Sequence, residues 1–209
     1  MLRSFLCALR LLCTASVLFM VLFGCSRQAL LPPLPTDAVI LAFGDSLTFG
    51  TGAGEQQSYP EVLAALIGRK VVNAGVPGEV SKEGLGRLPS VLEKVRPDLL
   101  ILCHGGNDLL RRQDQQLLRA NLAQMVQMAQ GQNIAVLLVA VPEPGLALEP
   151  PALYEELAKE FALPLEGTII TKILKKSELK SDQVHPNAAG YQRLAEALAK
   201  FLRQSGALP

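Results

Sequence analysis

Tryptophan is absent from this chain of 209 residues, aromatics make up only 5%, and there are two histidines and four cysteines. An excess of one charge sign is missing too, since 20 Lys+Arg stand against 19 Asp+Glu. Each shortage excludes something. A balanced charge gives no electrostatic case for a nucleic-acid binder, which needs a strongly basic face. No internal period runs along the sequence, which argues against solenoids and propellers. A disordered chain would combine low apolar content with high net charge, whereas this one is 49% hydrophobic with a net charge of +1. What remains is a length suited to one domain, whose core can stand without disulfide or metal staples.

The N-terminus has a character of its own. Residues 1–10 carry Arg3 and Arg10 and no acid, and residues 11–23 are almost wholly apolar. A basic start, a short apolar stretch and a small residue before a break predict a secretory signal. The strictly apolar part falls short of the roughly 20 residues that a membrane span needs; an uncleaved inner-membrane anchor is the alternative. Leu22-Phe23-Gly24-Cys25 resembles the lipobox of bacterial lipoproteins, with bulky Phe23 as its departure. That resemblance implies cleavage after Gly24, lipid on Cys25, and a protein facing the periplasm from the outer membrane. Loss of residues 1–24 would take the net charge from +1 to −1 and remove Cys7 and Cys13. With Cys25 lipidated, Cys103 is left as a core thiol and no intrachain disulfide can form. Residues 25–37, rich in Pro, read as a stiff tether, and residues 38–209 as the folded domain.

From Ala38 onward, short apolar runs alternate with helical patterns. Strands are predicted over 38–43, 70–73, 99–104 and 134–141, with a short fifth near 163–166. Helices are predicted over 58–67, 81–95, 114–130, 151–161 and 187–204. Ser58 and Glu61 have capping-box spacing, with Pro60 just inside the helix. Leu118, Leu122, Met125 and Ala129 form one apolar face, and Tyr191, Leu194, Leu198, Phe201 and Leu202 another. Continuous apolar strands alternating with helices predict a parallel sheet covered on both faces. Ligands of such sheets sit beyond the carboxyl ends of the strands.

The reactive residues gather at those ends. Ser46 directly follows the first strand in Gly44-Asp45-Ser46-Leu47, where its hydroxyl would stand above the sheet; alone, such a Ser is more often a cap or turn residue. Asp182 lies three residues before His185, close enough to accept the imidazole Nδ1 proton and leave Nε2 free to take a proton from Ser46. His104 is the rival base, but no acid stands three residues before it, so local hydrogen bonding or the pocket rim is its expected place. Oxyanion donors are offered by the Ser46 N–H, the Gly78 N–H in a tight loop, and Asn107 in Gly105-Gly106-Asn107-Asp108. Two histidines and one cysteine do not make the usual zinc set, so no metal and no cofactor is expected.

The blocks around Ser46, Gly78, Asn107 and His185 occur in the order of the SGNH, or GDSL, hydrolase superfamily, which the chain resembles from about residue 38 to its end. Its nearest likeness is to the thioesterase I, lysophospholipase and arylesterase branch, through Gly84-Leu85-Gly86-Arg87-Leu88-Pro89. The resemblance implies a three-layer α/β/α, flavodoxin-like sandwich with about five mostly parallel strands. It also implies hydrolysis of acyl esters or thioesters through an acyl-Ser46, with Asp182 as the acid. Pro77 before Gly78 and Cys103-His104 before the third block depart from that branch and bear on acyl-chain preference.

Rival readings fit less well. Gly50-Thr51-Gly52-Ala53-Gly54 lacks the spacing of a dinucleotide fingerprint, and no P-loop lysine follows it. Ser46 is followed by Leu47-Thr48, not by the Gly of a nucleophile elbow. Two alternatives stay open: an O-acetyl esterase of carbohydrate or peptidoglycan with the same triad, and a non-catalytic, membrane-anchored envelope module. The expected partners are an ester substrate and, through the anchor, the membrane, with no nucleic acid; a monomer is expected. The Lys172, Lys175, Lys176 and Lys180 stretch is expected to be a solvated face, with anionic lipid head groups the alternative.

Overall fold

A computed structural model describes residues 30–209. The signal, the lipobox and Cys25 lie outside the described residues.

Five strands carry the fold, in the order β1 (Val39–Gly44), β2 (Lys70–Gly75), β3 (Leu99–Cys103), β4 (Ala135–Val139) and β5 (Leu165–Glu166). All pairs are parallel and the spatial order is β2-β1-β3-β4-β5. Burial explains why alternation is missing from the central strands: Ile40 to Phe43 and Leu99 to Leu102 are each 0% exposed, because helices cover both faces.

The helices are α1 (Ser46–Phe49), α2 (Tyr59–Ile67), α3 (Ser81–Val95), α4 (Gly106–Leu110), α5 (Gln115–Gln130), α6 (Leu153–Glu160), α7 (Ile169–Leu174) and α8 (Ala188–Gln204). α2 and α7 pack on α8, while α3 and α6 pack on α5. Those two groups are the outer layers of the predicted α/β/α sandwich. The predicted apolar faces are the ones that pack, since Leu118, Leu122, Met125, Ala129, Tyr191, Leu194, Leu198, Phe201 and Leu202 are all buried. A buried Leu contributes on the order of 1.5–3 kcal/mol, so these stripes fix which side of each helix meets the sheet. None of the described helices is long and apolar enough to cross a membrane.

Two sequence expectations need correction. Ser58 does start α2, with Pro60 in its first turn, but its side chain makes no cap bond. The hydroxyl instead accepts from Asn73 Nδ2 at 3.3 Å, a tertiary partner that displaces the local one. The tether reading of residues 25–37 also fails from Leu31 onward. Leu31 and Leu34 are buried, and their N–H groups donate to Ser205 and Ala207 carbonyls at 3.0 and 2.9 Å. The leucines dock this segment against the turn after α8, so the folded body begins ahead of Ala38.

With β1 between β2 and β3, the chain leaves the sheet in opposite directions from β1 and β3. The crevice at such a switch point is where open α/β sheets bind ligands. Here it is bounded by the segments that follow β1, β2 and β3.

Candidate active site

The backbone after β1 turns at once into α1, which puts Ser46 on the first residue of a helix at the carboxyl edge of the sheet. That turn needs room. A Cβ on Gly44 would lie 2.0 Å from the Cys103 carbonyl oxygen, and one on Gly75 would lie 2.1 Å from Phe49 N. Glycine at both positions lets α1 settle onto the strand ends. Asp45 caps the helix, its Oδ1 accepting from Leu47 N at 3.1 Å, and its Oδ2 accepts from Gly106 N at 3.1 Å. Burial raises the Asp45 carboxyl above its ordinary value, against the opposing effect of His104 and of the two backbone donors.

His185 Nε2 lies 3.0 Å from Ser46 Oγ, and its Nδ1 lies 2.8 Å from Asp182 Oδ2. The backbone N–H groups of Val184 and His185 both donate to Asp182 Oδ1 at 2.8 Å. Partial burial disfavours the charged carboxylate of Asp182, yet the bond from His185 and these N–H groups outweigh it and hold its pKa below the ordinary value. An ionised Asp182 only accepts, so Nδ1 carries the proton and Nε2 presents its lone pair to the Ser46 hydroxyl. The loop is pinned at both ends. Lys180 bridges Pro186, and Asn187 caps α8 by accepting from Gly190 N at 3.1 Å. Tyr191 then ties α8 to the Ser46 segment, donating to the Thr51 carbonyl at 2.8 Å.

The segment after β2 forms a tight turn at Val76-Pro77-Gly78-Glu79, closed by Glu79 N donating to the Val76 carbonyl at 3.2 Å. Gly78 has φ +81°, the conformation that such a turn asks of its third residue. Among the described residues, the Ser46 and Gly78 N–H groups donate to no protein acceptor. Asn107 Nδ2 donates to the Glu79 carbonyl at 3.0 Å, which occupies one of its two hydrogens. Ser46, Asn107 and His185 line a common cavity of about 250 Å³, whose walls include Leu110, Val141, Pro142, Leu148, Leu174 and Val184. Gly78 is not among its lining residues; it stands next in sequence to the carbonyl that holds Asn107.

Of the two places expected for His104, it takes local hydrogen bonding and does not line the cavity. It is 0% exposed and bonds within the fold: Gly105 N donates to its Nδ1 at 2.9 Å, and its Nε2 lies 3.1 Å from Glu79 Oε2. Cys103 is a core thiol as expected, and burial pushes its pKa far up, which leaves it unreactive. Lys172, Lys175 and Lys176 are exposed as expected, with Lys175 paired to Glu149, whereas Lys180 is half-buried and lines the cavity instead of a solvated face. Among the described residues no cluster of His, Cys, Asp and Glu is placed to hold a metal ion.

Two residues of this site escape sequence reasoning. Asp45 has a detectable signal, because an Asp just before a helix start at a strand end has the position of an N-cap. Glu79 has none, since its partners Arg87 and His104 come together only in the fold.

A hydroxyl facing an imidazole that a carboxylate orients, near unpaired N–H donors and opening into a cavity, equips a protein for acyl transfer through serine. The molecule thus falls in the class of serine hydrolases. Residues 42–193 match the GDSL-like Lipase/Acylhydrolase family, and the chain belongs to that family, whose members hydrolyse acyl esters. It is 33% identical over 172 residues to Thioesterase 1/protease 1/lysophospholipase L1 of Escherichia coli (strain K12), covering 78% of this chain and 83% of the relative. Esterase TesA of Pseudomonas aeruginosa is 29% identical over 193 residues, covering 85% of this chain and 94% of the relative. The crystal structure of AlinE4, an SGNH-hydrolase family esterase, superposes with a TM-score of 0.65 at 32% identity, over 81% of this chain and 96% of that one.

Proposed function

We propose that Ser46 is the nucleophile, His185 the general base and Asp182 the residue that orients it, with the Ser46 and Gly78 N–H groups and the free Asn107 hydrogen as oxyanion donors. The observation that carries this reading is the unbroken line from Asp182 Oδ2 through His185 to Ser46 Oγ, at 2.8 and 3.0 Å. His185 Nε2 takes the hydroxyl proton as Oγ bonds to the substrate carbonyl carbon. The carbonyl oxygen becomes an oxyanion and is met by the donors. Collapse expels the leaving alkoxide or thiolate, which takes the proton from His185. Water then attacks the acyl-Ser46 with the same base, releasing the acid and restoring the hydroxyl.

The cavity supports an acyl ester of short to medium chain as substrate. Aliphatic side chains such as Leu110, Val141, Leu148 and Leu174 make half of its wall, beside polar Lys180 and Gln183, and its volume of about 250 Å³ suits a chain of limited length. Lysophospholipid, aryl ester and acyl thioester share the acyl carbonyl that this site would attack and differ in the leaving group. A series of p-nitrophenyl esters from acetyl to palmitoyl tests the proposal. Turnover by the wild type peaking at intermediate chain length, and abolished in folded Ser46→Ala, is expected. A flat series, or one active only on acetate, removes the acyl-pocket reading, and near-normal activity in Ser46→Ala removes the mechanism.

Export as a lipoprotein through Cys25 belongs to the same proposal, and Leu22-Phe23-Gly24-Cys25 is its support. Incorporation of labelled palmitate by the full chain, lost in Cys25→Ser, tests it; equal labelling of both rejects lipidation at that residue.

A further inference from the structure

The mechanism above leaves a buried cluster behind Asn107 without a role. Glu79, whose carbonyl holds Asn107 Nδ2, is 6% exposed. Arg87 grips its carboxylate as a fork, Nε on Oε1 and Nη2 on Oε2, both at 2.7 Å. His104 Nε2 meets Oε2 at 3.1 Å. Arg87 is itself fixed, with Nη2 donating to the Ala74 carbonyl at 3.1 Å and the guanidinium 4.2 Å over the Phe43 ring. Because Gly105 N–H can only donate, His104 Nδ1 accepts it, so Nε2 carries the proton and donates to Glu79. Both ring nitrogens are then committed.

Gly84 records the space that this cluster takes. It sits inside α3, where glycine costs about 1 kcal/mol relative to alanine. A Cβ there would stand 2.4 Å from His104 Nε2 and 3.2 Å from Glu79 Oε2.

We propose that Glu79, clamped between Arg87 and His104, is the positioning residue of the oxyanion hole, holding at a fixed point the carbonyl from which the Asn107 amide is aimed. His104 completes the mount from the other side, since it bonds the Gly105 turn that leads into α4 and Asn107. The inference rests on Asn107 acting as an oxyanion donor. An oxyanion donor acts through preorganisation, and a misplacement of about 1 Å can cost on the order of 10²-fold in rate. A carboxylate buried with an incomplete set of partners is unstable, so the cluster has one arrangement only.

The test is a double-mutant cycle, with kcat and KM measured on p-nitrophenyl butyrate for wild type, Glu79→Gln, Asn107→Ala and the double variant. Asn107→Ala is expected to lower kcat by about 10²-fold. Glu79→Gln should lower kcat by about 10-fold with KM within about twofold, and should cost nothing further once Asn107 is gone. A merely structural Glu79 would lower kcat by the same factor in both backgrounds, which overturns the proposal. An unchanged kcat in Glu79→Gln overturns it as well. Should Asn107→Ala keep its kcat, the oxyanion reading fails and this inference with it, and that arm separates the two failures. If Glu79→Gln does not fold by circular dichroism, His104→Asn takes its place in the same cycle. That variant keeps an acceptor for Gly105 N but drops the contact to Glu79, and is expected to lower kcat by about threefold to 10-fold only where Asn107 is present; an equal loss in both backgrounds, or none, rejects the proposal.

Discussion

Asp45 Oδ2 accepts the Gly106 N–H at 3.1 Å, joining the segment after β1 to the segment after β3. The other oxygen of the same carboxylate caps the helix that begins with Ser46. One side chain therefore sets the position of the nucleophile relative to the Asn107 helix. Further bonds close a triangle around the crevice: Val76 N donates to the Gly44 carbonyl at 3.1 Å, and Asn107 Nδ2 to that of Glu79 at 3.0 Å.

Asp45→Asn removes one of two acceptors and turns an amide NH2 toward a backbone donor. One buried N–H is left unpaired, at a cost of about 1–3 kcal/mol. Urea unfolding should show that loss, accompanied by a fall in kcat as Ser46 and Asn107 lose their common support. A variant with wild-type stability and turnover would show that the carboxylate does not organise the site.

Asp182→Asn keeps the size of the side chain but lets it donate to His185 Nδ1, which then must accept. The proton moves to Nε2 and the imidazole can no longer take one from Ser46. Turnover is expected to fall by about 10²–10⁴-fold with little change in KM. Steady-state kinetics at neutral pH check this, and a loss under tenfold would mean that His185 is oriented by other contacts.

Acid stability should report the Glu79 clamp. Burial alone would raise this carboxyl, but the bonds from Arg87 and His104 outweigh it and bring it from its ordinary 4.5 to about 2. A lowered value in the fold means that the unfolded chain binds the proton first as pH drops. The stabilisation is therefore fully present above the ordinary value and is lost as pH falls from there toward about 2. Urea midpoints measured from pH 6 to pH 2 should separate wild type from Glu79→Gln at the upper end and converge at the lower. Parallel curves would contradict the clamp.

The strands were legible because the sheet is covered on both faces, which leaves runs such as Ile40 to Phe43 wholly apolar. The helix stripes on α5 and α8 were legible for the same reason. The short helices α1, α4 and α7 were not, because four to six residues carry no complete apolar period. Ser46, Asp182, His185 and Asn107 stood out through residue type at strand ends. Glu79 did not, because what distinguishes it is a fork from Arg87 and a ring from His104, eight and 25 residues away along the chain. Ser58 was misread for a related reason: its local capping partner loses to Asn73 across the fold. Leu31 and Leu34 looked like part of a tether because their docking surface, the turn after α8, is remote in sequence and meets them only in the fold.

Covalent capture of the nucleophile tests the account most directly. The protein is treated with a p-nitrophenyl alkylphosphonate, which leaves a stable phosphonyl group on an activated serine, and is then digested and analysed by mass spectrometry. The added mass should fall on the peptide containing Ser46, with activity lost in proportion, and labelling should be slowed by orders of magnitude in His185→Ala. Labelling at another serine with loss of activity, or full labelling of Ser46 in His185→Ala, would contradict the site described here.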